Sequence, residues 1–173
     1  METDEFLEFS ATVEKFNSNL WSYHLNVPEP VARVFVDKDS RRVICTLNET
    51  VDFQCALMPK GDGAFFINLN KKLRDSLGLK IGTPVRVRLR KDSSAYGLPV
   101  PEEFKALLEM DAEGNDLFHA LTPGKQRTLL YIIGSVKNTD SRIGRAVAVV
   151  EHLKRNQGKI NYRQLNDALK NAR

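Results

Sequence analysis

Residues 65–89 read FFINLNKKLRDSLGLKIGTPVRVRL, and the change of period inside this stretch decides the fold of the first half. Phe65, Ile67 and Leu69 alternate, as on a strand with one buried face. Leu73 and Leu77 stand four apart, the spacing of one face of a short helix. Gly82-Thr83-Pro84 is turn chemistry, after which Val85, Val87 and Leu89 alternate again. The unit is strand, helix, strand, and Arg86, Arg88 and Arg90 fall on the face of the last strand opposite its apolar residues.

Working outward, the period of two extends over residues 6–90. Strands are predicted at 7–15, 21–27, 41–47, 51–58, 64–69 and 84–90, with turns at Asp37-Lys38-Asp39-Ser40 and Lys60-Gly61-Asp62-Gly63. A constant shift of 42 residues lays the first three strands on the last three. Phe9, Ala11 and Val13 fall on Val51, Phe53 and Cys55; Tyr23, Leu25 and Val27 on Phe65, Ile67 and Leu69; Val43, Cys45 and Leu47 on Val85, Val87 and Leu89. The helical pair Val31 and Phe35 falls on Leu73 and Leu77 in the same register. Two strand-strand-helix-strand halves closing one small barrel are therefore expected.

Leu73-Arg74, Leu77-Gly78 and Gly82 also carry a family resemblance. The stretch resembles the AbrB/MazE/MraZ-like swapped-hairpin module, in which an alternating strand and polar turn lead to a short Leu-Arg helix, Leu-Gly-x-x-x-Gly and a final alternating strand. In that family two copies interlock as a dimer and basic residues bind DNA. Here both copies lie in one chain, and Pro28-Glu29-Pro30 stands where the second copy has Asn70-Lys71-Lys72, so the two-fold basic surface is lost. Residues 4–95 resemble more closely a bacterial domain family of unknown function whose double-split barrel is built from one chain. The resemblance implies an α+β protein with a six-stranded double-split β-barrel, and the internal repeat predicts a monomer.

The strand period ends in Asp92-Ser93-Ser94-Ala95-Tyr96-Gly97-Leu98-Pro99, and a separate α-helical domain is expected over residues 100–173. Helices are predicted from Pro101, with Phe104, Leu107 and Leu108 on one face, and at 116–121. A third is capped by Thr122, and a fourth by Asp140 or Ser141 with Ile143, Val147, Val150 and Leu153 as its buried stripe. Tyr162, Leu165 and Leu169 mark a fifth. Within them, Lys137-Asn138-Thr139-Asp140-Ser141-Arg142-Ile143-Gly144-Arg145 is the most site-like run. Arg142 and Arg145, three apart, share the first turns of a helix, where unpaired N–H groups favour an anion and guanidinium forks match phosphate or carboxylate. Lys137, Ser141, Arg142 and Arg145 are accordingly the candidate anion-binding residues. The competing reading is that the arginines pair with acids of the 102–116 segment and hold the helices together. This run, with Leu121-Thr122-Pro123-Gly124-Lys125-Gln126-Arg127 and Tyr131-Ile132-Ile133 before it, resembles the bacteriocin-protection, or YdeI/OmpD-associated, family over residues 100–163. That family usually has Thr where this chain has Ser141, a departure that keeps the hydroxyl. The resemblance implies a role in stress or antimicrobial tolerance and assigns no catalytic residue.

Composition sets the outer bounds. With 173 residues, 42% hydrophobic and 28% charged, the chain is no disordered tail. Cys45 and Cys55 belong to apolar alternating stretches and are expected to stay reduced in the core. The first residues are acidic and no apolar run approaches the roughly 20 residues that span a bilayer, so a soluble cytoplasmic protein without membrane contact is expected. Charge alternates in blocks: 9 basic against 2 acidic over residues 60–91, 1 against 7 over 92–120, and 11 against 3 over 121–173. Such blocks can be anion-binding faces or surfaces that attract one another.

Three functions follow, the third being an enzyme with a pocket between the domains, which rests only on the habit of ligand sites to occupy domain interfaces. The preferred one is a non-enzymatic stress- or antimicrobial-tolerance protein that binds an anionic ligand or protein partner through Lys137, Arg142 and Arg145. The alternative is a nucleic-acid-binding module that tracks phosphates with Lys71, Lys72, Arg74, Arg86, Arg88 and Arg90, helped by Trp21 and Phe66 as a stacking pair. No phosphate-loop, zinc or acyl-transfer motif occurs in the sequence, and His24, His119 and His152 stand apart from one another; no catalytic residue, metal or cofactor is expected.

Overall fold

The computed structural model describes residues 5–17, 23–38, 40–61 and 63–172. Trp21, and Asp39 and Asp62 of the two expected turns, lie outside the described residues. The chain divides into two compact units, Met1–Ser93 and Ser94–Arg173, and its class is α+β.

Among the described residues the first unit holds eight strands where six are expected. They are β1 (Phe6–Thr12), β2 (Glu14–Lys15), β3 (Tyr23–Val27), β4 (Arg42–Leu47), β5 (Val51–Ala56), β6 (Met58–Gly61), β7 (Ala64–Asn68) and β8 (Pro84–Lys91). Two helices, α1 (Glu29–Phe35) and α2 (Lys71–Leu77), complete it. The extra strands arise because the first and fourth predicted strands each turn a corner. Val13 and Leu57 sit at the corners, both buried. The Val13 N–H donates to the Thr83 carbonyl at 3.0 Å and the Leu57 N–H to the Arg41 carbonyl at 2.8 Å. Each bent segment thus serves two antiparallel sheets, ordered β1-β8-β4-β5 and β2-β3-β7-β6. Among the described residues the two sheets do not close on each other by strand pairing, so the pairing differs from the closed six-stranded barrel expected from the sequence.

The repeat is visible in the topology, because exchanging β1 to β4 with β5 to β8 maps each sheet order onto itself. On the internal axis Leu25 faces Ile67 and Thr46 faces Arg88. The register differs from the sequence expectation in one half. Phe9 pairs with Val87 while Phe53 pairs with Cys45, so β1 and β2 relate to β5 and β6 by 44 residues, whereas later elements keep 42. Both shifts are even and preserve which side chains point inward. One core collects Val13, Leu25, Val43, Leu57, Ile67 and Leu89 from both sheets. Cys45 and Cys55 are free thiols. Burial pushes both thiols up, Cys55 to about 12, so neither is a thiolate near neutral pH.

The second unit is helical: α3 (Glu102–Met110), α4 (Ala112–His119), α5 (Pro123–Gly134), α6 (Thr139–Arg155) and α7 (Tyr162–Asn171). Phe104 meets Phe118 edge-on at 4.9 Å, within a core that takes Leu129, Ile133, Val150 and Leu153 from α5 and α6. The second helix starts earlier than expected because Asp111 caps it, accepting from the Gly114 N–H at 2.9 Å. A Cβ on Gly114 would stand 2.7 Å from Val150 Cγ1, so glycine is what lets α4 lie this close to α6. Of the stripe predicted for α6, Val150 and Leu153 are buried, while Ile143 and Val147 are exposed. Among the described residues no helix is long and apolar enough to cross a membrane.

Candidate functional site

The junction between α5 and α6 gathers the polar run singled out in the sequence. A helix ends with carbonyls that have no intrahelical partner and with the negative end of its dipole. At the end of α5 two arginines of α6 supply both donors and charge. Arg145 Nη1 donates to the Ile132 carbonyl at 2.7 Å and to Ser135 Oγ at 3.1 Å. Arg142 Nη1 donates to the carbonyls of Lys137 and Val136 at 2.6 and 3.2 Å, and its Nη2 to Thr139 Oγ1 at 3.2 Å. Its Nε reaches Glu103 Oε1 of α3 at 2.9 Å, with the Arg142 and Glu103 side chains only 24% and 14% exposed. The Glu103 carboxyl is held below the usual range by its own backbone N–H at the start of α3 and by the Arg142 guanidinium.

These contacts place the four candidate residues differently from the sequence expectation. Arg142 and Arg145 turn toward the end of α5 and toward Glu103, and fasten three helices. Ser141 does not cap α6, and neither does Asp140; Asn138 does, its Oδ1 accepting the Ser141 N–H at 3.0 Å. Lys137 is exposed. A second fastening joins α6 to the α3–α4 corner, where Lys154 Nζ lies 2.5 Å from Asp111 Oδ2. This pairing lowers the Asp111 pKa and raises that of Lys154.

Two family models match in tandem. The one described as a domain of unknown function (DUF1905) covers residues 9–89, and the one described as Bacteriocin-protection, YdeI or OmpD-Associated covers residues 98–156. By these models a DUF1905 domain is followed by a YdeI/OmpD-associated domain. The YdeI/OmpD-associated match contains Glu103, Lys137, Arg142 and Arg145 and ends before α7. No curated protein is significantly similar to the chain.

On the DUF1905 domain the alternation of β8 holds: Val85, Val87 and Leu89 are buried, and Arg86, Arg88 and Arg90 share the other face. That face is not simply basic. Arg88 donates from Nε and Nη2 to Glu8 Oε1 at 2.9 and 2.6 Å, and Arg86 lies 3.6 Å from Glu49 and 3.9 Å from Glu8. With Thr46 these side chains line a shallow pocket of about 230 Å³. Arg90 has Phe6 and Ile44 as cross-strand neighbours. On α2, Lys71 pairs with Asp75 at 2.7 Å, Lys72 is exposed, and the Arg74 guanidinium stacks 3.7 Å from the Tyr23 ring centroid. Phe66 is buried against Phe16 and His24 and offers no open stacking platform.

Sequence reasoning passed over two histidine arrangements. His119 Nδ1 stands 2.8 Å from the Asn115 carbonyl, which fixes the proton there, so Nε2 accepts from the Tyr96 hydroxyl at 2.6 Å. The pair borders a cleft with Glu102, Glu109 and Asp116. His152 is buried, and its Nε2 accepts the Asn161 N–H at 3.0 Å, tying the end of α6 to the cap of α7. Neither pair has a signal in the sequence, because Tyr96 and Asn161 come from loops whose approach only the fold determines.

Proposed function

We propose that this is a non-enzymatic, cytoplasmic binding protein of stress- or antimicrobial-tolerance type, whose helical domain meets an anionic partner. The observation that carries this reading is that exposed cations of the helical domain make no ion pair whereas Arg86 and Arg88, at the centre of the alternative site, do; Lys72 and Lys80 of the first domain are likewise exposed without an ion pair among the described residues. On the sheet, Arg86 and Arg88 stand beside Glu8 and Glu49. In the helical domain Lys125, Lys137, Arg155, Lys159, Arg163 and Lys170 make no ion pair among the described residues, and all six are exposed. Unmatched exposed charge draws an oppositely charged partner, whereas a matched pair must first be separated. The description of the second family supports the tolerance role. The DUF1905 domain is read as a one-chain form of the swapped-hairpin architecture, supported by the interleaving of strands from both halves.

The test is thermal unfolding of the full chain against anionic metabolites, nucleotides and short DNA or RNA, at low and physiological salt. A ligand at a hundredfold excess over its Kd adds about 2.7 kcal/mol of stability. The expected result is a rise in melting temperature that Lys137→Glu with Lys159→Glu removes. A flat panel, or a rise that survives these changes and disappears with Arg86→Ala and Arg88→Ala, overturns the reading.

A further inference from the structure

Apolar side chains gather on the outer surface of the helical domain. Met110, Ile143 and Val147 are 85%, 46% and 44% exposed. They converge on one groove between α3 and α6, of about 530 Å³, whose floor is completed by Ala106, Leu107 and Ala146. Large apolar side chains that are scattered singly need no explanation, but a cluster in a groove marks a contact surface. Methionine at its open end, unbranched and polarizable, adapts to different apolar shapes.

The border of the groove is acidic. Glu102 and Glu103 line it on α3. On α6, Asp140 precedes Ile143 by three residues and Glu151 follows Val147 by four, so both extend the same helix stripe, and both are exposed. Two cations of α6 are already engaged, Arg142 with Glu103 and Lys154 with Asp111. An apolar trough with Glu102 and Glu103 in its lining, and Asp140 and Glu151 at the two ends of its α6 stripe, is complementary to a helix that carries apolar residues on one face and lysine or arginine beside them.

We propose that the α3–α6 groove is a docking site for a cationic amphipathic helical peptide. Apolar residues of the peptide at i, i+3, i+4 and i+7 would cover Met110, Ile143 and Val147, and its flanking cations would meet Glu102, Asp140 and Glu151. This site goes beyond the anionic-partner reading, uses the opposite charge and different residues, and does not depend on it.

The probe is a synthetic peptide of leucine and lysine of about 14 residues, four turns of amphipathic helix, measured by fluorescence anisotropy against the full chain. Binding is expected, weakening as salt rises, and falling about tenfold or more with Val147→Asp, the loss typical of a central apolar contact. Met110→Ser, at a position too exposed to affect folding, should also weaken it. A peptide with glutamate in place of lysine should not bind. No binding of the lysine peptide overturns the proposal, as do equal binding by both peptides or unchanged binding by both variants. Self-association of the chain that Val147→Asp abolishes would assign the groove to a second copy and overturn it too.

Discussion

Arg145→Ala separates a fastening from a binding site. Arg145 Nη1 makes two bonds, to the Ile132 carbonyl and Ser135 Oγ, at the end of α5 where carbonyls lack helical partners. A hydrogen bond from a charged donor contributes about 1.5–3 kcal/mol at best. The half-buried guanidinium keeps water near its other nitrogens, which brings the expected loss for both bonds together to about 2 kcal/mol. Alanine returns only a few tenths through helix propensity. With a urea slope of about 2 kcal/mol/M the unfolding midpoint should fall by about 1 M, with the slope itself unchanged. Arg145→Lys keeps the charge without the planar fork and should lose about half as much. Lys137→Ala, at an exposed position, should stay within about 0.5 kcal/mol. Arg142→Ala, which removes the bond to Glu103 as well as three others, should shift the midpoint further than Arg145→Ala. The reasoning is refuted if Arg145→Ala is no more destabilising than Lys137→Ala.

Two further outcomes follow from helix contacts. Burial lowers the His152 pKa, so the folded protein prefers the neutral ring that accepts the Asn161 N–H. Below the unfolded value of about 6.5 the unfolded chain binds the extra proton first. Stability should therefore hold above that pH and fall as pH drops toward the lower folded value, and His152→Gln should flatten the slope between pH 7.5 and 5.5 in urea titrations. Gly114→Ala gains about 1 kcal/mol of helix propensity, but its Cβ would meet Val150 Cγ1 at 2.7 Å, and overpacking costs about 1–3 kcal/mol. A net loss of stability is expected, smaller than additive when combined with Val150→Ala, as read by the same titration.

The parts of this fold legible in the sequence are those that depend on period alone. Val85, Val87 and Leu89 announced their inward face, and the shared helical spacing of Val31, Phe35, Leu73 and Leu77 exposed the repeat. Register was not legible, since a period of two is blind to an even slip: Phe9 falls on Val51 or on Phe53 with the same alternation, and only strand pairing selects Phe53. The corners at Val13 and Leu57 were hidden for a related reason, because an apolar residue in an alternating run looks the same on a straight strand as at a bend. In the helical domain, the run from Lys137 to Arg145 stood out as polar and organised. Its meaning did not, because the acceptors for Arg145 and for most of Arg142's bonds are backbone carbonyls and hydroxyls, which leave no charge pattern to read. Ile143 and Val147 show the reverse case: hydropathy assigned them to the core, while the packing of α3 against α6 left them on the outside.

The internal two-fold axis of the first domain has a further consequence. In a complex of two identical chains, every residue on such an axis must face its own copy, so a β8-like strand pair would set arginine against arginine, and like charges directly opposite destabilise a sheet. Joining both halves in one polypeptide removes that constraint: Thr46 stands opposite Arg88 and Leu25 opposite Ile67. It also makes the pairing of halves independent of protein concentration, because the second half is always tethered at high effective concentration. The two halves can then differ, as Pro28-Glu29-Pro30 in one and Asn70-Lys71-Lys72 in the other do, and a substitution is felt once where an obligate pair would feel it twice.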